Sequence, residues 1–141
     1  MKQFFDSSVL IAAFWGGHVH HEPSIKLLAS ANRKDSACGI HTLAEVFAVM
    51  TAARVKPSIP AEQGLLFVGE VRERLALVSL DPEEYFATIQ KAAERGVTGG
   101  RVYGALLLGC AEKFKARIIY TWNLKHLQLI APHLSDRIRT P

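Results

Sequence analysis

The sequence predicts an α/β fold in which helices wrap a mostly parallel sheet. Two observations lead to this prediction. Short apolar runs alternate with helical patterns along the whole chain, which is the order that builds parallel sheets. Residues 75–80 form a nearly continuous apolar run, which is typical of a strand buried in a parallel sheet. No internal repeat, low-complexity stretch or linker divides the chain, so we expect one domain over residues 1–141.

Local signals place the individual elements. The predicted strands cover residues 4–5, 36–40, 75–80 and 117–121, with an edge strand at 136–139. The predicted helices cover residues 9–14, a segment with Pro23 in its first turn, and residues 42–53, 61–74, 82–95, 101–115 and 123–130. The strongest helix start is Asp81, followed by Pro82 and by Glu84 three residues later, which predicts a capping box. Ser7 and Ser8 follow the first strand and are expected to cap the first helix.

The composition is that of a globular protein. Hydrophobic residues make up 49% of the 141 residues and charged residues 21%, which excludes a disordered chain. No apolar run is long enough to cross a bilayer, and the N-terminus lacks the regions of a secretory signal. We therefore expect a cytoplasmic protein with no membrane partner.

The cysteines and the clustered histidines do not predict a metal site. Cys38 and Cys110 lie far apart among apolar neighbours, which favours reduced, buried thiols. The histidines near residue 20 lack the spacing of zinc ligands, so we expect them in a solvent-exposed loop. They are His18, His20 and His21.

The positive charge is concentrated in the last third of the chain. Residues 1–100 hold 10 Lys and Arg against 11 Asp and Glu, whereas residues 101–141 hold 7 against 2. This excess favours an anionic partner such as nucleic acid. On charge alone, a solvated helix face with a basic tail explains it equally well.

Polar residues follow several of the predicted strands, where open α/β sheets bind their ligands. Asp6 ends the first strand, Glu45 lies one turn into the helix after the second, and Asn123 follows the strand near the C-terminus. Paired carboxylates at this edge favour Mg²⁺ or Mn²⁺, which activate water for attack on a phosphate. The pattern therefore indicates a metal-dependent phosphodiesterase.

The same residues also have structural interpretations. Asp6 can satisfy the dipole of the following helix, although its position directly after a buried strand favours function. Glu45 completes a capping box with Thr42, which explains it equally well. Asn123 is more often a helix cap than a ligand.

With these residues in place, the sequence resembles the PIN-domain ribonucleases, in particular the VapC-type toxins of bacterial and archaeal toxin–antitoxin pairs. The matching segments occur in family order and span nearly the whole chain: residues 5–10, 42–46, 99–103 with 105–107, 121–127 and 136–141. The resemblance implies a three-layer α/β/α sandwich whose acid cluster binds Mg²⁺ or Mn²⁺ and cleaves RNA. It also implies a homodimer and an antitoxin protein that blocks the site.

The resemblance implies a role for each matching residue. Asp6 matches the family's first acid and Glu45 its second, while Asn123 stands where many members carry Asp. The third acid normally lies in a Tyr-Asp-Ala-Leu setting, and Gly104 occupies that position here. The implied metal ligands are Asp6, Glu45 and, through water, Asn123, with position 104 contributing only if it is restored to Asp. The residues expected to bind substrate are Ser7, Arg101, Thr121 and Lys125, with Tyr103 and Trp122 as candidate stacking faces.

Gly104 is the main departure from the family pattern, because no nearby acid replaces the lost carboxylate. Glycine inside a helix also costs about 1 kcal/mol relative to alanine. Three accounts are open: a selected or engineered inactivating change, which we favour because an active toxin poisons its host; a naturally degenerate member; and a site that retains metal on the remaining ligands. The prediction is an attenuated or inactive ribonuclease, with a non-cleaving RNA- or antitoxin-binding protein as the alternative. A structure-specific DNA nuclease would share this site chemistry.

Overall fold

A sheet of five parallel strands forms the centre of the computed structural model, which describes all 141 residues. In chain order the strands are β1 (Gln3–Phe5), β2 (Ser36–Gly39), β3 (Ala76–Val78), β4 (Ile118–Tyr120) and β5 (Ile138–Arg139). Their order across the sheet is β3-β2-β1-β4-β5, and all neighbouring pairs are parallel. β1 is therefore the central strand, and the C-terminal ends of the strands share one edge.

Helices cover both faces of this sheet. They are α1 (Ser7–Phe14), α2 (His21–Ala29), α3 (Ile40–Met50), α4 (Ala61–Arg74), α5 (Pro82–Glu94), α6 (Arg101–Lys113) and α7 (Leu124–Ile130), with a 3-10 helix at Pro132–Arg137. Because side chains alternate along a strand, Phe4 packs in a core with Leu108 of α6. Phe5 packs in a second core with Leu10 of α1 and Val46 of α3. The predicted three-layer α/β/α sandwich is confirmed. None of the helices combines the length and apolarity that a membrane span requires.

The strongest local signals gave the right boundaries. α4 begins and ends at the predicted residues. α5 has the predicted capping box, in which the Glu84 N–H donates to Asp81 Oδ1 at 2.8 Å and the Asp81 N–H donates to Glu84 Oε1 at 2.9 Å. Both cysteines are buried and unpaired, and burial raises the pKa of Cys38 to about 12.

The start of α3 differs from the prediction. The helix begins at Ile40 and ends at Met50, rather than covering 42–53. Gly39 is the N-cap, with the extended backbone of φ −74° and ψ 147° that continues β2. Thr42 therefore lies inside the helix and does not cap it.

Three further boundaries were wrong. α1 begins at Ser7 with Asp6 as N-cap, so Ser7 and Ser8 lie in the helix and do not cap it. β3 has only three half-buried residues rather than the buried run expected at 75–80, because it lies at the edge of the sheet and pairs only with β2. β5 covers two of the four residues predicted at 136–139, since the 3-10 helix takes up the others.

Candidate active site

Asp6 lies at the centre of the C-terminal edge of the sheet. Phe5 pairs with Tyr120 in the parallel register of β1 and β4, so the following residues, Asp6 and Thr121, are neighbours. The Asp6 N–H donates to the Tyr120 carbonyl at 2.9 Å and extends the ladder beyond β1. Asp6 is only 7% exposed. A carboxylate this deeply buried requires hydrogen-bond donors.

Two hydroxyl groups hold one oxygen of this carboxylate. Thr121 Oγ1 donates to Asp6 Oδ2 at 2.7 Å, and Ser8 Oγ donates to the same oxygen at 2.8 Å. The other oxygen, Oδ1, accepts one long contact of 3.4 Å from Ser7 Oγ. Oδ1 is therefore the oxygen that Asp6 has available for a ligand.

The chain after β4 fixes both hydroxyl groups. The Trp122 N–H donates to Ser8 Oγ at 3.0 Å, and the Asn123 N–H donates to Thr121 Oγ1 at 2.9 Å. Thr121 is fully buried, so its expected contact with substrate does not fit its position; its hydroxyl orients Asp6 instead. Ser8 is a positioning residue that the sequence reasoning missed. Its only signal was the Ser-Ser pair after Asp6, which we interpreted as helix caps.

Glu45 is the second carboxylate of the site. α3 starts directly after β2, the neighbour of β1, and places Glu45 half-buried in the same cavity as Asp6. Burial raises the pKa of the Glu45 carboxyl, and the charge of Asp6 raises it further. His41 and the Ser7 hydroxyl act in the opposite direction. The capping-box interpretation of Glu45 is wrong, because α3 begins two residues before Thr42.

One cavity of about 490 Å³ brings together residues from five parts of the chain. The four residues that match the family's acid positions all line it: Asp6, Glu45, Gly104 and Asn123. Asn123 is the N-cap of α7, but its side chain makes no capping hydrogen bond and is exposed. Its amide oxygen therefore remains available to a ligand or a water.

The space at position 104 is filled from the neighbouring helix. A Cβ atom on Gly104 would lie 2.6 Å from Ile130 Cδ1 and 3.4 Å from Leu127 Cδ2, both on α7. Carbon atoms pack at about 3.5–4.0 Å, so the Ile130 methyl group occupies the place where a side chain would begin. Glycine at this position therefore allows α6 and α7 to approach closely.

The remaining residues that were expected to bind substrate lie around the cavity. Ser7 is half-buried and lines it. Arg101 and Lys125 are exposed and do not line it, but each is next in sequence to a residue that does, Gly100 and His126 respectively.

Much of the basic excess of the last third lies elsewhere. A separate groove is lined by Lys115 and Arg117, which precede β4, and by Arg137 and Arg139 near the C-terminus. The start of β4 is at the edge of the sheet opposite to Asp6. Lys115 and Arg117 are therefore far from the cations beside the cavity, whereas Arg139 pairs with Tyr120 at the end of β4.

The histidines do not form the solvent-exposed loop that we expected. All three are half-buried, and the ring of His20 stacks on Trp122 with a centroid distance of 3.7 Å and 6° between the planes. The Trp122 Nε1–H donates to Ser24 Oγ at 2.8 Å. This packing orders the segment between α1 and α2 and covers one face of the Trp122 ring.

The donor set fits a hard divalent cation that keeps several waters. No group of three or more His, Cys, Asp and Glu side chains could hold a metal ion, so the chain offers no all-protein cage. Mg²⁺ is usually bound by one or two carboxylates together with waters and substrate phosphates. Asp6 and Glu45 supply two carboxylates, and Asn123 supplies an amide oxygen. A cation would also relieve the repulsion that raises the pKa of Glu45.

The parallel sheet and the two carboxylates at its C-terminal edge define a small α/β domain with an acidic cleft. The family model of the PIN domain matches residues 4–128. The chain therefore belongs to the PIN domain family. No curated protein sequence matches the chain closely enough to count as a relative.

Two solved structures have the same fold over their full length. A chain of VapBC2 from Rickettsia felis, determined with a DNA fragment from its promoter, aligns with a TM-score of 0.66 and 17% identity, covering 100% of this chain and 99% of that one. A chain of VapBC-1 from nontypeable Haemophilus influenzae aligns with a TM-score of 0.63 and 14% identity, covering 99% and 98%. At these identities the likeness establishes the fold alone.

Proposed function

We propose that this chain is a metal-dependent endoribonuclease of the VapC type, a toxin that hydrolyses RNA phosphodiester bonds, with activity attenuated by Gly104. Membership of the PIN domain family supports the class, and the full-length likeness in fold to chains of VapBC complexes supports the type. The observation that carries the proposal is the pairing of Asp6 and Glu45 in one cavity at the C-terminal edge of a parallel sheet.

The two carboxylates have different roles in the proposed site. Asp6 is held through Oδ2 and presents Oδ1, so it is a rigid anionic ligand. Glu45 has a raised pKa, so it accepts and releases a proton more readily near neutral pH than an ordinary glutamate. A bound Mg²⁺ or Mn²⁺ would lower the pKa of water and stabilise negative charge on the phosphate. Asn123 and Ser7 add neutral polar groups that position water or phosphate.

RNA would reach this cavity along a positively charged rim. Arg101 is the first residue of α6, Lys125 lies in the first turn of α7, and both side chains are exposed beside the cavity. Such cations contact phosphates, position the strand without reading its sequence, and make binding dependent on salt.

The proposed partners follow from the VapC type. We expect a cognate antitoxin protein that blocks the cavity, a homodimer, and action in the cytoplasm on RNA. The two structural neighbours are VapBC complexes, which supports an antitoxin partner.

A second candidate function is a pseudo-nuclease that binds RNA or an antitoxin without cleavage. The placement of Ile130 favours it, because its Cδ1 methyl group lies 2.6 Å from the place where the Cβ of a residue at 104 would be, and Ile130 packs in the core. A chain packed in this way has no ligand at position 104 and no free space in which a side chain could begin there.

Cleavage of a labelled single-stranded RNA tests the two candidates. The unaltered protein is compared with Gly104→Asp and with Gly104→Asn, which has nearly the same shape but no charge, in Mg²⁺, in Mn²⁺ and in EDTA. Mutating a residue that only hydrogen-bonds a metal ligand typically lowers metal affinity or activity by about 10- to 100-fold. We therefore expect Gly104→Asp to cleave RNA at least about tenfold faster than the unaltered protein or Gly104→Asn. Asp6→Asn in the Gly104→Asp background provides the inactive control.

Calorimetric titration with Mn²⁺ separates the outcomes. Tighter Mn²⁺ binding by Gly104→Asp, together with cleavage that EDTA abolishes, supports the ribonuclease. Equal cleavage by the unaltered and Gly104→Asp proteins contradicts the role given to position 104. No metal binding in either form supports the pseudo-nuclease. Cleavage of flap DNA in preference to single-stranded RNA would identify a DNA nuclease.

A further inference from the structure

The cavity that holds the carboxylates continues into an apolar end. Asp6 follows β1 at one end of the cavity, and Leu80 follows β3 at the other. Leu80 and Leu107 are only partly buried against the core, and both line the cavity. Because β2 lies between β1 and β3, the apolar end is two strand spacings, roughly 10 Å across the sheet, from Asp6.

One hydroxyl group in this cavity has no partner in the chain. Thr42 is 1% exposed and lines the cavity. The hydroxyls of Thr51 and Thr88 donate to the carbonyl four residues earlier, at 2.7 and 2.8 Å, whereas that of Thr42 makes no such bond. No side-chain oxygen of the chain is both sealed in the interior and unpaired, so the Thr42 hydroxyl is open to the cavity. Since Thr42 caps no helix, this hydroxyl has no structural role.

The lack of a side chain at Gly39 leaves a hollow beside this hydroxyl. A Cβ atom there would lie 3.8 Å from Cys110 Sγ, 3.9 Å from Phe4 Cζ and 3.9 Å from Thr42 Oγ1. These are ordinary contact distances, so the hollow has room for one methyl group. The backbone of Gly39 is extended, with φ −74° and ψ 147°, which any residue adopts. Glycine is therefore not required for the conformation, and it keeps the floor of the cavity open.

The lining of the apolar end defines what it would bind. Its volume of about 490 Å³ is within the range of small-molecule sites, which are mostly apolar with a few polar groups. A flat ring fits beside Leu80 and Leu107 if a polar group on its edge pairs with the Thr42 hydroxyl. An aliphatic side chain would instead cover this hydroxyl and leave it unpaired, which costs free energy. Nucleobases have apolar faces and polar edges.

The hydroxyl group also lies close to the acids. Thr42 is three residues before Glu45 on α3, so the two side chains share one face of the helix. A ring that contacts Thr42 would therefore be next to a phosphate bound at the carboxylates. This is the arrangement of phosphate and base within a single nucleotide.

We propose that this apolar end binds a nucleobase of the RNA whose phosphate lies at Asp6 and Glu45, with the Thr42 hydroxyl as its polar contact. This base pocket is lined by Gly39, Thr42, Leu80, Leu107 and Cys110. The inference rests on the proposed function, because it takes RNA as the ligand of the cavity. The base pocket selects unpaired RNA, since a base stacked within a duplex is not free to enter it.

Binding of the four ribonucleosides and of ribose, measured by NMR in EDTA, tests the base pocket without a metal and without cleavage. We expect at least one nucleoside to bind more tightly than ribose, which has no base. Thr42→Val removes the hydroxyl and keeps the shape, so it should weaken nucleoside binding by about 2- to 12-fold, the worth of one hydrogen bond. Thr42→Ser keeps the hydroxyl and should bind nucleosides like the unaltered protein.

Thermal melting of the same variants separates a role in binding from a role in folding. Replacing an unpaired hydroxyl by a methyl group should leave the melting temperature of Thr42→Val unchanged or raise it. Gly39→Ala should change stability little, because the gain from a less flexible unfolded chain offsets the preference for glycine at an N-cap. Its methyl group covers the hydroxyl, so nucleoside binding should fall at least about twofold. Gly69→Ala, on α4 and outside the cavity, is the matched control with no loss of binding.

The base pocket is wrong if no nucleoside binds more tightly than ribose, or if Thr42→Val binds nucleosides as tightly as the unaltered protein. A lower melting temperature for Thr42→Val would show that the hydroxyl has a partner in the chain, and would also overturn the proposal. N-acetylleucine amide and N-acetyltryptophan amide test the other occupant. If either binds more tightly than every nucleoside and loses affinity in Gly39→Ala, the cavity accepts a protein side chain and the base pocket is wrong.

The result is independent of whether the protein cleaves RNA. Nucleoside binding that Thr42→Val weakens, together with no cleavage by Gly104→Asp, would retain the base pocket and remove the nuclease. Cleavage by Gly104→Asp together with no nucleoside binding would retain the nuclease and remove the base pocket.

Discussion

Restoring a side chain at position 104 should cost stability unless Ile130 is shortened at the same time. The Cβ of any residue at 104 would lie 2.6 Å from Ile130 Cδ1, which is well inside normal contact distance. Ile130 is 3% exposed and belongs to the core between the sheet and α6. The methyl group has to rotate away within a packed interior.

The size of the effect follows from opposing contributions. Overpacking of a core costs about 1–3 kcal/mol. Replacing glycine in a helix returns about 1 kcal/mol for alanine and less for aspartate. We therefore expect Gly104→Asp to lower the free energy of unfolding by about 1–2 kcal/mol, which combines both contributions. For a domain of this size that is roughly 2–4 °C of melting temperature for each kcal/mol.

Ile130→Val removes the clashing carbon and should reverse the loss. Alone, it costs about 0.5–1.5 kcal/mol through the cavity that it leaves. In the Gly104→Asp background the same change should be neutral or stabilising, because the new side chain fills that cavity. The coupling between the two sites should reach about 1 kcal/mol or more, within the range for residues in contact. The double variant should also cleave RNA faster than Gly104→Asp alone.

Urea unfolding of the four proteins in this cycle, in EDTA, measures the coupling. Gly69→Ala is the matched control, since Gly69 lies inside α4 and a Cβ there meets nothing within 4 Å. It should stabilise the protein by about 1 kcal/mol. If Gly104→Ala stabilises as much as Gly69→Ala, or if the cycle is additive, then Ile130 does not occupy the place where a side chain at position 104 would begin.

Three further changes test the rest of the site. The folded-state pKa of Glu45 is raised, so ionisation of this carboxyl group lowers the stability of the folded protein. Its contribution to stability is fully present below the ordinary glutamate pKa of about 4.3 and is lost as the pH rises through the folded-state value. Glu45→Gln should therefore be more stable than the unaltered protein at pH 7 in EDTA, by a few tenths to about 1 kcal/mol, and thermal melts should show the gain disappearing towards pH 4. Thr121→Val keeps the shape but removes the hydroxyl that binds Asp6, and urea unfolding should show a loss of about 1–3 kcal/mol; no loss would contradict a positioning role. Reversing the charge of two cations beside the cavity should lower the slope of log Kobs for RNA binding against log salt concentration by about 1.4, because each phosphate contact contributes about 0.7. Reversing the charge of two cations far from the cavity should leave this slope nearly unchanged. The two pairs are Arg101 with Lys125 and Lys115 with Arg117.

The features that could be predicted from the sequence depend on residues close together in the chain. The capping box of Asp81 and Glu84 spans three residues, and the structure confirms it. The fold class also followed, because alternating strands and helices restrict the topology to a parallel sheet. The capping box expected at Thr42 failed because β2 ends at Gly39, one residue before its predicted end, and α3 begins directly after it at Ile40.

The contacts that complete the site join distant parts of the chain, so no sequence pattern showed them. One of the two hydroxyls that hold Asp6 is 115 residues away, on Thr121, which we had expected to meet substrate. The side chain that fills the place at Gly104 comes from Ile130 on another helix. Asp6, Glu45 and Asn123 could be expected at one edge of the sheet because each follows a predicted strand, whereas the place of Gly104 beside them was foreseeable only through the family pattern.

The hydrogen bond between Asp6 and Thr121 has a consequence for the order of events during synthesis. Asp6 leaves the ribosome 115 residues before Thr121 does. Until β4 pairs with β1, the Asp6 carboxylate lacks one of its two short hydrogen bonds, and neither Asn123 nor α7 is present at the cavity. A nascent chain therefore carries both carboxylates long before it has a site, and the cavity is complete only once β4 and α7 have been made and have folded.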